Sequence, residues 1–284
     1  PSHAKRKCPG LVVVPPNFSE YMKYSRMARA VYAEYTDLIE PYGIDECWLD
    51  ITRSTKIFPA YDGGMYAGEG EERHFAPGYL RFLGDTLRER IKGELGLTVS
   101  VGVSFNKVFA KLGSDLKKPD GTTVISVTDY RRVIYPLPVE DLLYVGRATA
   151  EKLRARGLTT IGALAAAPDG LLHGLLGKAG DNLAKYARGE DDEPVRSMDD
   201  TGELKSIGNS LTYPEDLTRP GEVKKNLYVL AESVAARLRE SGLGRADTVH
   251  LWVRFSSLKS FGVQKKVRPT VLCGEIAEHA FALF

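Results

Sequence analysis

The stretch Tyr42-Gly-Ile-Asp-Glu-Cys-Trp-Leu-Asp-Ile-Thr52 constrains this chain more than any other. Leu38 to Ile44 is mostly apolar or aromatic, and Cys47 to Thr52 is apolar, aromatic and β-branched apart from Asp50, so both flanks read as strands. Asp45 and Glu46 stand side by side at the junction. In one continuous strand neighbouring side chains point to opposite faces. At the bend of a hairpin both carboxylates converge on one point above the sheet. Convergent carboxylates with nothing basic beside them suit a hard divalent cation such as Mg2+, an ion that can hold phosphates and neutralise charge in phosphoryl transfer. Taken alone, an Asp-Glu pair is more often a solvated acidic turn, so the rest of the chain has to decide.

With 284 residues the chain is long enough for two or three domains and a substantial core. The 43% hydrophobic and 27% charged content is that of a soluble globular protein, and no apolar run is long enough to span a bilayer. Cys8, Cys47 and Cys273 are far apart and lack CxxC spacing, which argues against a disulfide framework or zinc site and for a reducing cytoplasm. No two histidines sit at metal-ligand spacing. The formal net charge of +2 conceals an uneven distribution. Between Thr248 and Gly274 there is no acid, while Arg254, Lys259, Lys265, Lys266 and Arg268 are all basic; Glu190-Asp-Asp-Glu193 and Asp199-Asp200 form an acidic zone. Local basic patches point to a polyanionic partner.

In chain order, Leu11-Val-Val-Val14 between Gly10 and Pro15-Pro16 reads as a short buried strand. A helix capped by Ser19 follows to Tyr35. After the acidic hairpin, Pro59 to Gly78 reads as a Gly-rich surface insertion, in which Gly68-Glu-Gly70 does not extend to a nucleotide-binding glycine motif. Tyr79 to Leu95 is an amphipathic helix, Thr98 to Ser104 a strand in which Gly102 allows close backbone approach, and Phe105 to Leu116 a helix. Lys117-Lys-Pro-Asp-Gly121 ends that helix in a turn, and Thr122 to Val127 is a further strand. The pattern predicts an α+β fold with a mostly antiparallel sheet. From Leu137 the texture changes to short helices. Val139 to Leu143, the turn Tyr144-Val-Gly-Arg-Ala148 and a helix from Thr149 would present backbone N–H groups to a phosphate. A helix over Leu171 to Arg188 stops at Gly189, and Glu190 to Asp200 reads as an exposed, mobile linker. The remainder alternates a strand near Lys205 to Tyr213, a helix over Glu222 to Glu240, strands at Thr248 to Phe255 and Phe261 to Arg268, and a helix from Glu275. Its basic strands suit a sugar–phosphate backbone.

Gly43 to Thr52 resembles the palm signature of the Y-family (translesion) DNA polymerases, nearest their DNA polymerase IV branch. Ser100-Val-Gly-Val-Ser-Phe-Asn-Lys-Val-Phe-Ala-Lys-Leu112 with Lys118-Pro-Asp-Gly121 is similar to a second block of that family. Arg188-Gly189 with Asp191, Pro194-Val195 and Lys205-Ser-Ile-Gly208 resemble its passage from thumb to little finger. The resemblance runs through nearly the whole chain in the family's order. It implies an incomplete ferredoxin-like palm at 1–136, an all-helical thumb with a helix-hairpin-helix at 137–189, a linker at 190–203 and an incomplete α+β little finger at 204–284. It further implies two Mg2+ ions, with Asp45 bridging both and Glu46 joining at the ion that activates the primer 3′-hydroxyl. Lys118 would contact the triphosphate of the incoming dNTP. Val145, Gly146 and Ala148 would hold a backbone phosphate of primer–template DNA, and Arg254, Lys259, Lys265, Lys266 and Arg268 would line the little finger. A sliding clamp, met through a tail beyond Phe284, belongs to the same set of partners. The family's first metal-binding Asp and its fingers precede the part matched here, so the chain reads as a central polymerase fragment. Gly146-Arg147-Ala148 departs from the family's G-x-G turn, and Ser210 stands where Glu is common.

Two other readings compete. Ser104-Phe-Asn-Lys107 fits the SxxK pattern of serine acyl-transferases, although the SDN and KTG elements are missing. A DNA-binding protein that has lost polymerisation would keep the basic strands and the turn at Gly146.

Overall fold

A computed structural model describes residues 2–54, 56–69, 74–198, 200 and 205–284. Residues 70–73 of the expected insertion, and residues 199 and 201–204 around the expected linker and start of the last domain, lie outside the described residues. The chain forms two compact units, Pro1–Asp200 and Thr201–Phe284. Among the described residues no helix is long and apolar enough to cross a membrane.

The first unit opens with α1 (Ser2–Lys7) and α2 (Phe18–Ala33), followed by the hairpin β1 (Ile39–Pro41) and β2 (Cys47–Leu49). Its antiparallel register pairs Ile39 with Leu49, Glu40 with Trp48 and Pro41 with Cys47. The strands are shorter than the expected Leu38 to Ile44 and Cys47 to Thr52, so the bend takes in 42–46 rather than the acidic pair alone. A small hairpin, β3 (Tyr66–Ala67) with β4 (His74–Phe75), leads into α3 (Pro77–Leu95). Then come β5 (Val101–Ser104), α4 (Lys107–Leu116) and β6 (Thr122–Ile125). β5 and β6 pair in parallel, with α4 as the crossover such a pair needs. The expected mostly antiparallel sheet is thus corrected to separate two-stranded ladders, one of them parallel.

Two features fix α4. Asn106 caps it, its side-chain oxygen accepting the Phe109 N–H at 2.8 Å. Gly102 lets it press on β5: a Cβ there would lie 1.9 Å from the Ala110 carbonyl oxygen and 2.5 Å from the Ser114 nitrogen. Beyond β6 the chain is helical: α5 (Tyr130–Ile134), a short 3-10 turn at Val139–Asp141, α6 (Arg147–Arg154), α7 (Ile161–Ala165), α8 (Asp169–Leu176) and α9 (Lys178–Arg188). One apolar core runs through this region, from Phe109, Leu112 and Ile125 to Leu153, Ile161, Leu172 and Ala187.

Several local expectations are corrected. Leu11 to Val14 forms no strand among the described residues: Val12 is 81% and Val14 72% exposed, because nothing pairs with the segment's edges. Asn17 rather than Ser19 caps α2, since its side chain accepts the Glu20 N–H while Ser19 Oγ donates to Asn17. Phe18, Tyr21 and Met22 leave an apolar face of α2 in water. The expected surface insertion contributes to a core: Tyr61, Met65 and Phe75 pack around Tyr79, next to Phe58, which precedes the insertion and is buried against Tyr35 with ring centroids 4.6 Å apart. The single helix expected over Leu171 to Arg188 breaks into α8 and α9 at Gly177, whose φ of 63° only glycine adopts freely.

The second unit contains α10 (Pro220–Glu240), the antiparallel ribbon β7 (Ala246–Arg254) and β8 (Ser260–Thr270), and α11 (Cys273–Leu283). Leu227, Val249, Leu251 and Ala280 form its core. The strand expected near Lys205 to Tyr213 does not form: no ladder pairs this segment among the described residues.

The close approach at Gly102 yields a test. Gly102→Ala forces helix and strand apart and should cost more than the roughly 1–3 kcal/mol usual for overpacking. Urea denaturation of the two chains measures it, and an unchanged midpoint would mean that α4 does not bear on β5.

Candidate functional site

The bend between β1 and β2 is held from both sides. Thr36 Oγ1 donates to the Asp50 carbonyl at 2.7 Å, and the Tyr42 N–H to the Glu46 carbonyl at 2.9 Å. Trp48 Nε1 donates to the Lys107 carbonyl at 2.9 Å, which ties the hairpin to the start of α4. On the bend Asp45 is exposed and has no hydrogen bond or ion pair with a described residue. Glu46 differs. Its Oε1 lies 3.1 Å from Lys111 Nζ on α4, so the expectation of carboxylates with nothing basic beside them is wrong for Glu46. Lys111, whose side chain is only 16% exposed, also binds Asp115 at 2.7 Å, one helical turn on. Asp115 in turn accepts Lys118 at 2.6 Å. Burial pushes the Asp115 carboxyl up, but Lys111 and Lys118 pull it further down, and its net pKa lies below the usual carboxylate range. Burial likewise works against the Lys111 ammonium, and its two carboxylate partners more than offset this.

As ligands for a hard cation, Asp45 and Glu46 fit in chemistry: adjacent oxygen donors, one of them uncommitted, on a fixed bend. Among the described residues no group of three or more His, Cys, Asp or Glu side chains assembles around them. Two carboxylates suit Mg2+, which keeps several positions for water and phosphate oxygens. The turn bearing Lys118 is held by Asp120, whose carboxylate binds Arg88 and Lys92 of α3, each at 2.7 Å.

Sequence reasoning missed a charge cluster built on a buried pair, Lys107 and Glu40. Lys107 Nζ contacts Glu40 at 3.0 Å and Glu193 at 2.9 Å, and sits over the Trp48 ring at 5.2 Å. Glu40 also accepts the Arg196 N–H and its Nη2, both at 3.0 Å. Residues 193–196, expected to be a mobile linker, are pinned to β1 by these bonds. A buried acid inside a predicted strand, Glu40, was the one available signal. The cluster also disposes of the SxxK alternative: Lys107 is committed to carboxylates, and Ser104 Oγ donates to the Ile125 carbonyl.

The remaining predicted residues fall in two places. Val145 is buried and its N–H donates to the Leu142 carbonyl, so it is not available to an anion. Gly146 caps α6 without a side-chain bond, and Arg147 and Ala148 occupy the first turn, where N–H groups lack intrahelical partners. In the second unit the register puts Lys266, Trp252 and Arg254 on the outer face of the ribbon, with Arg268 following by alternation. Lys265 pairs with buried Val249 and belongs to the packed face, exposed at its rim. Lys259 lies in the connecting turn.

Residues 2–115 match the impB/mucB/samB family, and residues 204–284 match that family's C-terminal domain. A DNA polymerase IV from Acetivibrio thermocellus is 47% identical over 282 residues, covering 99% of this chain and 66% of that protein. A DNA polymerase IV from Clostridium acetobutylicum is 33% identical over 269 residues, covering 95% and 62%. The chain therefore spans less than two thirds of the length of these curated relatives. Among solved structures, a Y-family DNA polymerase chimera of Dbh and Dpo4 aligns with a TM-score of 0.81 at 22% identity, over 99% of this chain and 75% of the other. DinB from Sulfolobus solfataricus aligns over the same shares with a TM-score of 0.58 at 22% identity.

The buried cluster has a pH signature. Burial pushes the Glu40 carboxyl up, while bonds from Arg196 and Lys107 outweigh this and depress it. A depressed carboxylate contributes stability that is complete above its unfolded pKa and is lost as pH falls through the folded value. Stability should therefore decline on acidification below about pH 4.5. Glu40→Gln should flatten that acid limb and cost about 3 kcal/mol at neutral pH, since it leaves Lys107 under-compensated. Thermal denaturation across pH reads both effects; an identical acid limb in the variant would place the acid sensitivity elsewhere.

Proposed function

The chain belongs to the impB/mucB/samB family of Y-family DNA polymerases, and from that premise we propose that it takes part in template-directed, low-fidelity DNA synthesis of the translesion kind. In that reaction the primer 3′-hydroxyl attacks the α-phosphorus of a dNTP, the new phosphodiester bond forms, and pyrophosphate leaves. The observation that carries the reading is the Asp45–Glu46 bend held against α4, the helix that runs directly into the turn bearing Lys118. Mg2+ held by Asp45 and Glu46 would neutralise charge on the reacting phosphate. Lys118 supplies fixed positive charge for the triphosphate, where negative charge grows on the leaving pyrophosphate. Asp120 holds the Lys118 turn in place through Arg88 and Lys92.

In this reading residues 1–136 serve as palm, 137–189 as a helix-hairpin-helix thumb and 204–284 as little finger. Gly146, Arg147 and Ala148 contact one DNA phosphate, and the outer ribbon face contacts others. Two carboxylates fill a minor part of an octahedral shell, so the chain by itself binds Mg2+ weakly and extends primers little.

Primer extension tests the centre of the reading, in a hybrid that completes this chain with the unmatched part of its 47%-identical relative. Asp45→Ala or Glu46→Ala should each lower extension by about 100-fold or more, the scale of losing one preorganised charge-stabilising group, with DNA affinity nearly unchanged. Wild-type extension by both variants would reduce the bend to a solvated turn. An unsubstituted hybrid that binds primer–template but never extends it would instead favour a DNA-binding role without polymerisation.

A second test concerns the ribbon. DNA affinity of this chain should fall steeply with salt, and replacing Arg254, Lys266 and Arg268 by Ala should flatten the log–log slope by about 0.9 for each DNA phosphate no longer neutralised. Lys265→Ala should change it less, because Lys265 alternates to the packed face. Equal effects from Lys265 and Lys266 would mean that the outer face is not the DNA surface.

A further inference from the structure

Four charged side chains form an unbroken line from the bend to the Lys118 turn. Glu46 meets Lys111 at 3.1 Å, Lys111 meets Asp115 at 2.7 Å, and Asp115 meets Lys118 at 2.6 Å. Signs alternate along the line, and each interior member is shared between two neighbours. Lys111 divides its ammonium between two carboxylates. Asp115 gives Oδ2 to Lys111 and Oδ1 to Lys118. Resting on the reading that Asp45 and Glu46 hold metal and Lys118 holds phosphate, we propose that Lys111 and Asp115 are positioning residues that couple the two events.

The coupling follows from charge. A divalent cation on Glu46 takes over the charge that Lys111 neutralises and repels the Lys111 ammonium. With only 16% of its side chain exposed, Lys111 has little water to turn to, and its other anionic partner is Asp115. Asp115 then gives more of its charge to Lys111 and holds Lys118 less firmly. Lys118, 53% exposed, is freed to reach a phosphate. The reverse path is required by linkage: a triphosphate that draws Lys118 away leaves Asp115 to Lys111 and clears Glu46 for the metal. Backbone contact at Gly102 keeps α4 on β5, so the exchange is one of side-chain rotation.

The test uses Mn2+ as the metal probe, with binding to the hybrid used for primer extension followed by electron paramagnetic resonance. The reactivity of the Lys118 amine toward an acylating reagent is read residue by residue by mass spectrometry at constant ionic strength and pH. In the unsubstituted hybrid, bound Mn2+ should raise the Lys118 rate about two- to fivefold, the scale of one exposed ion pair. Asp115→Asn should give the fast rate with or without metal. Lys111→Gln should still bind Mn2+ but lose the metal dependence at Lys118. Mn2+ bound with no change at Lys118, or a metal response that survives Lys111→Gln, overturns the coupling and leaves the metal reading intact. No signal change in the hybrid, or one that Asp45→Ala leaves undiminished, means that Mn2+ is not held at the bend and overturns the metal reading itself and the coupling with it.

Discussion

The first unit depends on a lysine with almost no access to water. Lys107 begins α4, and its ammonium is held by Glu40 of β1 and by Glu193 beyond the last helix of the unit. Three distant parts of the chain therefore meet at one charge. A buried ion pair of this kind adds little net stability over a well-packed apolar substitute, yet it is costly to break, so it specifies one arrangement strongly. Here the arrangement specified is the position of the acidic bend relative to α4. Trp48 reinforces it by lending its indole N–H to the Lys107 carbonyl and its ring face to the ammonium.

In front of that buried pair lies a second, wetter set of charges. At the centre of the inner set Lys107 and Glu40 are buried, and Glu193 and Arg196 reach them from the surface. The outer set, from Glu46 to Lys118, is partly exposed and built from weak individual contacts. Under the function proposed above, this division would suit a site that admits a cation and a polyphosphate and later releases them, with a rigid frame and loosely held proposed ligands. Asp45, without a protein partner among the described residues, is the extreme case.

The hairpin, the long helices and the ribbon were legible because local pattern determines them. Turn residues bound alternating apolar runs at 42–46, and Leu83, Leu87 and Ile91 of α3 lie along one helical stripe. Misreadings occurred where partners distant in sequence decide. Leu11 to Val14 has the composition of a strand, but a strand needs a neighbour to pair with. Residues 193–196 have the composition of a linker, but Glu40, more than 150 positions earlier, claims Arg196. At the candidate site the acidic pair and Lys118 could be found from motif spacing. Lys111 lay inside a recognised block without a role, because nothing in a linear pattern shows that its ammonium reaches back to Glu46. Lys265 and Lys266 look alike in sequence and are separated only by the parity of the ribbon.

The missing side chain at Gly102 works as a ruler. Elsewhere helix and strand are spaced by atoms that can be traded for larger or smaller ones, and the spacing drifts as the sequence does. Between β5 and α4 the two backbones themselves touch. Their separation has no adjustable part, and of the twenty side chains only hydrogen meets it. Sequence can wander over the exposed surface of α4 while the backbone that carries Lys111 keeps a fixed distance from β5.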